Sequence, residues 1–139
     1  MTQKRLGEVV LRTTQIDAMK RFYREIIGLE EYRKIGTAQF FKISEDREGH
    51  PQILALFQED WESNGPGEPH FSGHDAGKST LHHLAFSMAL EDWVKECDRL
   101  IDLGCELRTM IYPAMKWRSA YVYDPDGNTV EIVCFDDAI

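Results

Sequence analysis

The hydrophobic pattern of the chain changes period several times, and each change marks an element of secondary structure. Apolar residues recur at helical spacing over 16–27, with charges on the opposite face and Gly28 placed to end the helix. The segment 90–101 carries the same apolar stripe and is followed by Gly104. The chain therefore contains two amphipathic helices.

Short apolar and β-branched runs, typical of strands, surround both helices. One of them, Ile-Leu-Ala-Leu-Phe over 53–57, is almost entirely apolar, which indicates a central strand. Combined with the helices, the strands give the order βαβββ twice. The predicted strands are 6–12, 29–35, 37–43, 51–58, 81–86, 105–109, 118–123 and 129–135.

The two halves align with each other at a nearly constant offset. Glu8 aligns with His83 at an offset of 75 residues, the two helix-ending glycines at 76, and Ile53 with Val130 at 77. Such constancy indicates an internal duplication. We expect one α+β domain over 1–139, with module 1 at about 4–60, a glycine-rich linker or active-site flap at about 61–79, and module 2 at about 80–137.

Length, charge and cysteine usage narrow the class of protein. A chain of 139 residues is sufficient for one globular domain. Its formal net charge of −8 argues against a nucleic-acid or membrane-surface partner, and no apolar run is long enough to span a membrane. Three cysteines without CxxC spacing form neither a zinc knuckle nor a disulfide framework, and no targeting segment is evident. We expect a cytoplasmic protein.

One acidic residue interrupts the last strand pattern. Asp-Pro-Asp-Gly over 124–127 separates two strand-like runs, which predicts a β-hairpin. Glu131 follows, between Val130 and Ile132, where a strand that packs on a core would carry an apolar residue. Because burying an unpaired charge is costly, this carboxylate needs a cation or water. Glu131 is therefore either a solvent-facing residue of an edge strand or a metal ligand on a concave sheet.

Three strings of residues resemble the vicinal oxygen chelate superfamily, which includes glyoxalase I, extradiol dioxygenases, methylmalonyl-CoA epimerase, fosfomycin-resistance transferases and bleomycin-resistance proteins. They are Phe-Tyr-Arg-Glu-Ile-Ile-Gly-Leu at 22–29, Leu-His-His-Leu-Ala-Phe at 81–86, and Tyr-Asp-Pro-Asp-Gly-Asn at 123–128 leading to Glu131. The resemblance covers essentially the whole chain. It implies two βαβββ modules that form a curved, cup-shaped mixed sheet, and it specifies the fold more closely than the reaction.

The resemblance also implies a divalent metal ion held by side chains of the first and fourth strands of the modules. Carried over to this chain, it makes Glu8, His83 and Glu131 the metal ligands. One imidazole and two carboxylates suit Fe²⁺, Mn²⁺, Ni²⁺ or Zn²⁺ without choosing among them. Glu8 has a second interpretation, as a general base beside the ion.

The fourth ligand position of the family falls on a residue that cannot bind metal. At an offset of 77 it is Leu54. Gln52 and Gln58 have the same strand parity and could replace Leu54 only if the register shifted by two or four residues. A four-ligand set is therefore incomplete.

Further candidates surround these ligands. Tyr121 precedes Glu131 by ten residues and shares its strand face, a spacing that resembles the active-site tyrosine of extradiol dioxygenases. His70 and His74 stand upstream of His83, where those enzymes carry an acid–base histidine. The alternative is that Tyr121 belongs to the sheet core and that both histidines are solvated linker residues.

Four more residues receive structural interpretations first. His82 should point to the face opposite His83, so only one of the two can be a ligand. Lys116 and Arg118 are either anion-binding or ordinary surface cations. Cys134 should face away from Glu131 as a packed thiol.

The resemblance implies a metal-dependent enzyme that chelates adjacent oxygens of a small substrate, with glyoxalase-like lyase or isomerase chemistry. Ring cleavage of the extradiol dioxygenase type is a second hypothesis. A metal-free ligand-binding protein of the bleomycin-resistance type is a third. We also expect a homodimer, because family members of this size often pair.

Overall fold

The computed structural model describes residues 1–59 and 71–139, which form two compact units, Met1–His74 and Asp75–Ile139. Each unit contains one four-stranded mixed sheet and one main helical segment. No helix in the described ranges is long and apolar enough to cross a membrane. The boundary between the units lies in the stretch that the sequence marks as a linker.

The first unit has the order βαβββ. In its sheet β1 pairs in parallel with β4, and β4, β3 and β2 are antiparallel neighbours. Gly28, with a positive φ of 80°, ends the helical segment as predicted. The elements are β1 (Glu8–Thr13), α1 (Ile16–Arg21), a π-helical turn that continues it (Phe22–Ile26), β2 (Glu30–Ile35), β3 (Ala38–Arg47) and β4 (His50–Gln58).

The second unit repeats this topology. Here β5 pairs in parallel with β8, and β8, β7 and β6 are antiparallel neighbours. The α+β class and the duplicated βαβββ order are therefore confirmed. The elements are β5 (Leu84–Ser87), α2 (Leu90–Asp102), β6 (Arg108–Tyr112), a 3₁₀ turn (Pro113–Met115), β7 (Trp117–Tyr123) and β8 (Thr129–Phe135).

Two strands of the second unit begin three residues later than predicted. β5 begins at Leu84 rather than at residue 81, and β6 begins at Arg108 rather than at 105. The second difference has a local cause: the backbone N–H of Cys105 donates to the carbonyl of Leu100 at 3.0 Å, so Cys105 still belongs to the end of α2. The strand can pair with β7 only after this cap is complete.

The sheets pack their helices on defined faces. In the first unit the Tyr23 ring packs against Phe41, with ring centroids 6.5 Å apart, and Phe41 pairs with the buried Leu54. In the second unit the indole N–H of Trp93 on α2 donates to the carbonyl of Ile132 on β8 at 3.1 Å, and Cys97 of α2 and Cys134 of β8 are both buried. Since strand side chains alternate, Leu54 and Cys134 mark the helix side of their sheets.

This assignment corrects one alignment made from the sequence. Glu131 has the opposite parity to Cys134 and lies on the face opposite α2, whereas Leu54 lies on the helix side of its own sheet. The residue of the first unit equivalent to Glu131 is therefore Ala55, at an offset of 76, and the predicted offset of 77 was wrong. A shift of one residue moves a strand side chain to the other face.

The same correction removes the two glutamines as substitutes. Gln52 has the parity of Leu54, and its side-chain oxygen accepts a hydrogen bond from Ser44 at 3.0 Å. Gln58 also has this parity, and its amide donates to the neighbouring Glu59 at 3.2 Å. Neither residue occupies the position equivalent to Glu131, which the buried methyl group of Ala55 fills.

Candidate active site

The β7–β8 hairpin sets the register that brings two candidate residues together. The Asp124 carboxylate accepts hydrogen bonds from the backbone N–H groups of Asp126 and Asn128, at 3.0 and 2.9 Å. This closes the turn that the Asp-Pro-Asp-Gly sequence predicted. Tyr121 and Glu131 are consequently direct cross-strand partners. Their shared face is the one opposite α2.

Glu131 is a buried carboxylate with two partners. Its side chain is 6% exposed, and Oε2 lies 3.0 Å from Nε2 of His83. Oε1 accepts a hydrogen bond from the Tyr121 hydroxyl at 3.3 Å. The interpretation as a solvent-facing residue of an edge strand was wrong, because β8 lies between β5 and β7 in the sheet. A charge in this place requires a partner, and His83 provides it.

The neighbouring histidines contact each other through their rings. Nδ1 of His82 lies 2.8 Å from Nδ1 of His83, so one ring donates and the other accepts. The prediction that His82 points away from His83 was wrong, because both residues precede β5 and strand alternation does not govern them. His82 therefore orients the His83 ring and leaves Nε2 directed at Glu131.

Tyr121 is held by a second tyrosine that the sequence did not single out. Its hydroxyl lies 2.7 Å from that of Tyr112. Burial, followed by this hydrogen bond, raises the pKa of Tyr121 to about 12. The predicted strand 105–109 ended before Tyr112, so no pattern placed Tyr112 beside Tyr121. The neutral Tyr121 hydroxyl therefore keeps its proton and donates a hydrogen bond to the Glu131 carboxylate.

The His83–Glu131 pair fits a divalent ion as two of its ligands. Bonds of about 2.1 Å at right angles place two donor atoms about 3.0 Å apart, and Nε2 and Oε2 are 3.0 Å apart. Each donor also has an outer partner, His82 for His83 and Tyr121 for Glu131, an arrangement that orients metal ligands. Over residues 1–59 and 71–139, no three His, Cys, Asp or Glu side chains converge on a metal position.

Glu8 stands in the first unit where His83 stands in the second. In the first unit Val10 pairs with Ala55, and Glu8 lies two residues before Val10. In the second unit Ala85 pairs with Glu131, and His83 lies two residues before Ala85. Glu8 belongs to β1 and therefore lies on the face opposite the helix of its unit, whereas the side of the sheet on which His83 lies is shown by its contact with Glu131. The Glu8 side chain is exposed.

The remaining candidates have these positions. His70 lies outside the described residues, and His74 lies half-buried at the end of the first unit. Arg118 and Lys116 form ion pairs, the former with Asp136 at 2.6 Å and the latter with Asp137 at 2.8 Å. Their interpretation as surface cations with structural partners is the one that these contacts favour.

Cys134 is buried on the helix side of β8, and it faces away from Glu131 as predicted. Burial raises the pKa of its thiol. A thiol on that side of the sheet belongs to the packing between β8 and α2.

Comparison with known proteins gives a consistent picture. Residues 5–132 match the model of the Glyoxalase/Bleomycin resistance protein/Dioxygenase superfamily. Biphenyl-2,3-diol 1,2-dioxygenase 3 from Rhodococcus globerulus is 32% identical over 129 residues, which cover 92% of this chain. The chain spans 62% of the length of that relative.

Solved structures share the fold. A glyoxalase/bleomycin resistance protein/dioxygenase from Nocardioides has a TM-score of 0.70 at 19% identity, covering 100% of this chain and 88% of its own. Lactoylglutathione lyase from Agrobacterium tumefaciens has a TM-score of 0.65 at 25% identity, covering 96% of this chain and 95% of its own. The fosfomycin resistance protein FosX from Listeria monocytogenes has a TM-score of 0.66 at 20% identity, covering 99% of this chain and 98% of its own.

Proposed function

Since the chain belongs to the glyoxalase, bleomycin resistance protein and dioxygenase superfamily, we propose that it is a metal-dependent enzyme that chelates two adjacent oxygens of a small substrate. The observation that carries the proposal is the contact between His83 and the buried Glu131, supported on one side by His82 and on the other by Tyr121. Divalent metals are common in this superfamily, and its members bind small molecules.

The pair suits metal binding because of its charge. A carboxylate that is 6% exposed needs a positive partner. A divalent ion would supply this positive charge, with the His83 imidazole and the Glu131 carboxylate as two of its ligands. Because an imidazole binds metal only in its neutral form, metal affinity should fall as pH falls.

We propose Glu8 as a third donor, because it lies two residues before the partner of Ala55, just as His83 lies two residues before the partner of Glu131. Its carboxylate would add a hard anionic ligand to one imidazole and one carboxylate, a set that accepts Fe²⁺, Mn²⁺, Ni²⁺ or Zn²⁺. The same carboxylate could act instead as the base that removes a proton next to a substrate carbonyl. Both roles require Glu8 to be ionised.

The proposed reaction is of the lyase or isomerase type. A bound divalent ion would supply polarisation of the two substrate oxygens. Tyr121 holds the Glu131 carboxylate in place and, with a pKa of about 12, remains protonated at neutral pH. It therefore serves as a hydrogen-bond donor rather than as a base.

Ring cleavage of the extradiol dioxygenase type is the second candidate. It is favoured by the Tyr121 hydroxyl beside Glu131 and by the 32% identity to a protein named biphenyl-2,3-diol 1,2-dioxygenase 3. In this candidate His70 would act as the acid–base residue. The carboxylate of Glu8, in place of the histidine that dioxygenases of this type commonly present, argues for the lyase or isomerase assignment.

The proposal is tested by elemental analysis of protein purified without an affinity tag or chelator. The wild type should carry a nearly stoichiometric transition metal that Glu131→Gln and His83→Ala both lose. Glu91→Gln is the matched control, because it removes the same charge from an exposed position on α2 and should retain the metal.

The identity of the metal separates the candidates. Iron would favour oxygen chemistry, and zinc, nickel or manganese would favour the lyase or isomerase. Absence of metal, even after incubation with these ions, would refute the proposal and favour a ligand-binding protein of the bleomycin-resistance type. Light scattering of the same sample tests the expected homodimer.

A further inference from the structure

A single row of side chains crosses the second sheet on the face opposite α2. Arg108, Tyr121, Glu131 and Ala85 are successive cross-strand partners on β6, β7, β8 and β5. The guanidinium carbon of Arg108 lies 5.1 Å from the centroid of the Tyr121 ring. The row therefore joins an arginine to the residues of the candidate metal site.

Arg108 differs from every other cation of its unit. The remaining lysines and arginines of Asp75–Ile139 each contact a carboxylate within 4.0 Å. Within the described residues, Arg108 has no such partner and only stacks on Tyr121. Among the residues that the structure describes, the absence of a carboxylate beside Arg108 is notable because the chain has a net charge of −8 and therefore has more carboxylates than cations. The five donors of an exposed guanidinium thus remain available to a ligand.

The spacing of the row limits what that ligand can be. Neighbouring strands are about 4.8 Å apart, so two strand spacings separate Arg108 from Glu131 by about 10 Å at the backbone. An oxyanion bound by Arg108 would lie within the length of one small molecule from the His83–Glu131 pair. Ala85, at the other end of the row, has only a methyl group, which is too small to cover the neighbouring Glu131 on this face of the sheet.

We propose that Arg108 binds an oxyanion group of the substrate, a carboxylate in the simplest case. The substrate is then a small organic anion with two adjacent oxygens at one end and a carboxylate at the other. The planar guanidinium fork pairs with a carboxylate through two parallel hydrogen bonds, while Tyr121 supports it from behind. This inference rests on the proposed function of the same site and narrows its substrate class.

The test compares two chelating probes that differ in one carboxylate. Protein loaded with Mn²⁺ is titrated with catechol and with 3,4-dihydroxybenzoate by isothermal calorimetry. The wild type should bind 3,4-dihydroxybenzoate at least about tenfold more tightly than catechol, the contribution of one charge-assisted contact. Arg108→Gln should lose this preference and retain its affinity for catechol, and Arg108→Lys should keep part of it.

Arg33→Gln is the matched control. Arg33 stacks on Tyr32 with the same 5.1 Å separation, but it lies on β2 of the first unit. Its replacement removes one positive charge and should leave the preference unchanged.

The outcomes separate this inference from the proposed function. Equal binding of the two probes by the wild type, or an unchanged preference in Arg108→Gln, would overturn the role of Arg108 and leave metal chelation standing. If neither probe binds the loaded wild type, both proposals fail.

Discussion

The contact between His83 and Glu131 should appear as a measurable coupling energy in the metal-free protein. The perturbation is a double-mutant cycle of His83→Ala, Glu131→Gln and the combined variant, in buffer with a chelator. The two side chains are 3.0 Å apart, with His83 37% and Glu131 6% exposed. One partner is therefore buried, and the other is in contact with solvent.

These exposures set the expected magnitude. Pairs at the surface contribute about 0–1 kcal/mol, and removal of one partner from a fully buried pair costs about 3–5 kcal/mol. Because solvent screens the imidazole side, the coupling between His83 and Glu131 should be about 1–2 kcal/mol. His83→Ala alone should cost more than Glu131→Gln alone, since it leaves a buried carboxylate with only the Tyr121 hydrogen bond.

Urea unfolding of the four proteins measures the cycle, with the slope of the free energy against urea serving as a check on its validity. The control cycle uses Asp92 and Lys95, an exposed pair on α2 with atoms 3.7 Å apart. Its coupling should be below about 0.5 kcal/mol. A coupling for His83 and Glu131 as small as that of the control would refute the argument that His83 compensates the buried charge.

Two further predictions concern pKa values. Tyrosinate absorbance should show one phase near pH 12 that Tyr121→Phe removes and that Tyr112→Phe shifts to lower pH. A free tyrosine ionises near pH 10. The contribution of Tyr121 to stability should therefore be complete below about pH 10 and should be lost as pH rises towards 12. A Tyr121 phase at or below pH 10 would contradict this. Burial raises the pKa of Cys97 to about 11. Iodoacetamide at pH 8 should therefore alkylate the half-buried Cys105 before Cys97, as measured by peptide mass spectrometry. Faster labelling of Cys97 would contradict this and would show that α2 opens.

Local patterns in the sequence were sufficient to predict the helices and strands and to identify Glu131 as an unusual residue. Strand β8 has the predicted bounds, and Gly28 and Gly104 both adopt the positive φ of a helix end. Glu131 indicated the site because a charged residue between two apolar neighbours is unusual in a strand that packs on a core. Such features depend on residues close together in the chain, which the sequence displays directly.

The tertiary structure decided which side chains meet. The parallel pairing of β1 with β4 moved the equivalent of Glu131 from Leu54 to Ala55, a change of one residue that reverses the face of the sheet. The pairing of β6 with β7 placed Tyr112 and Arg108 beside Tyr121.

The sequence by itself therefore determined the duplicated βαβββ order, the two helix ends and the residue around which the candidate site is built. Only the tertiary structure decided the partners of that residue. The physical reason is that helix and strand periods are set by neighbours in the chain, whereas strand register is set by hydrogen bonds between segments far apart in sequence. Because side chains alternate along a strand, register alone determines which of them share a face.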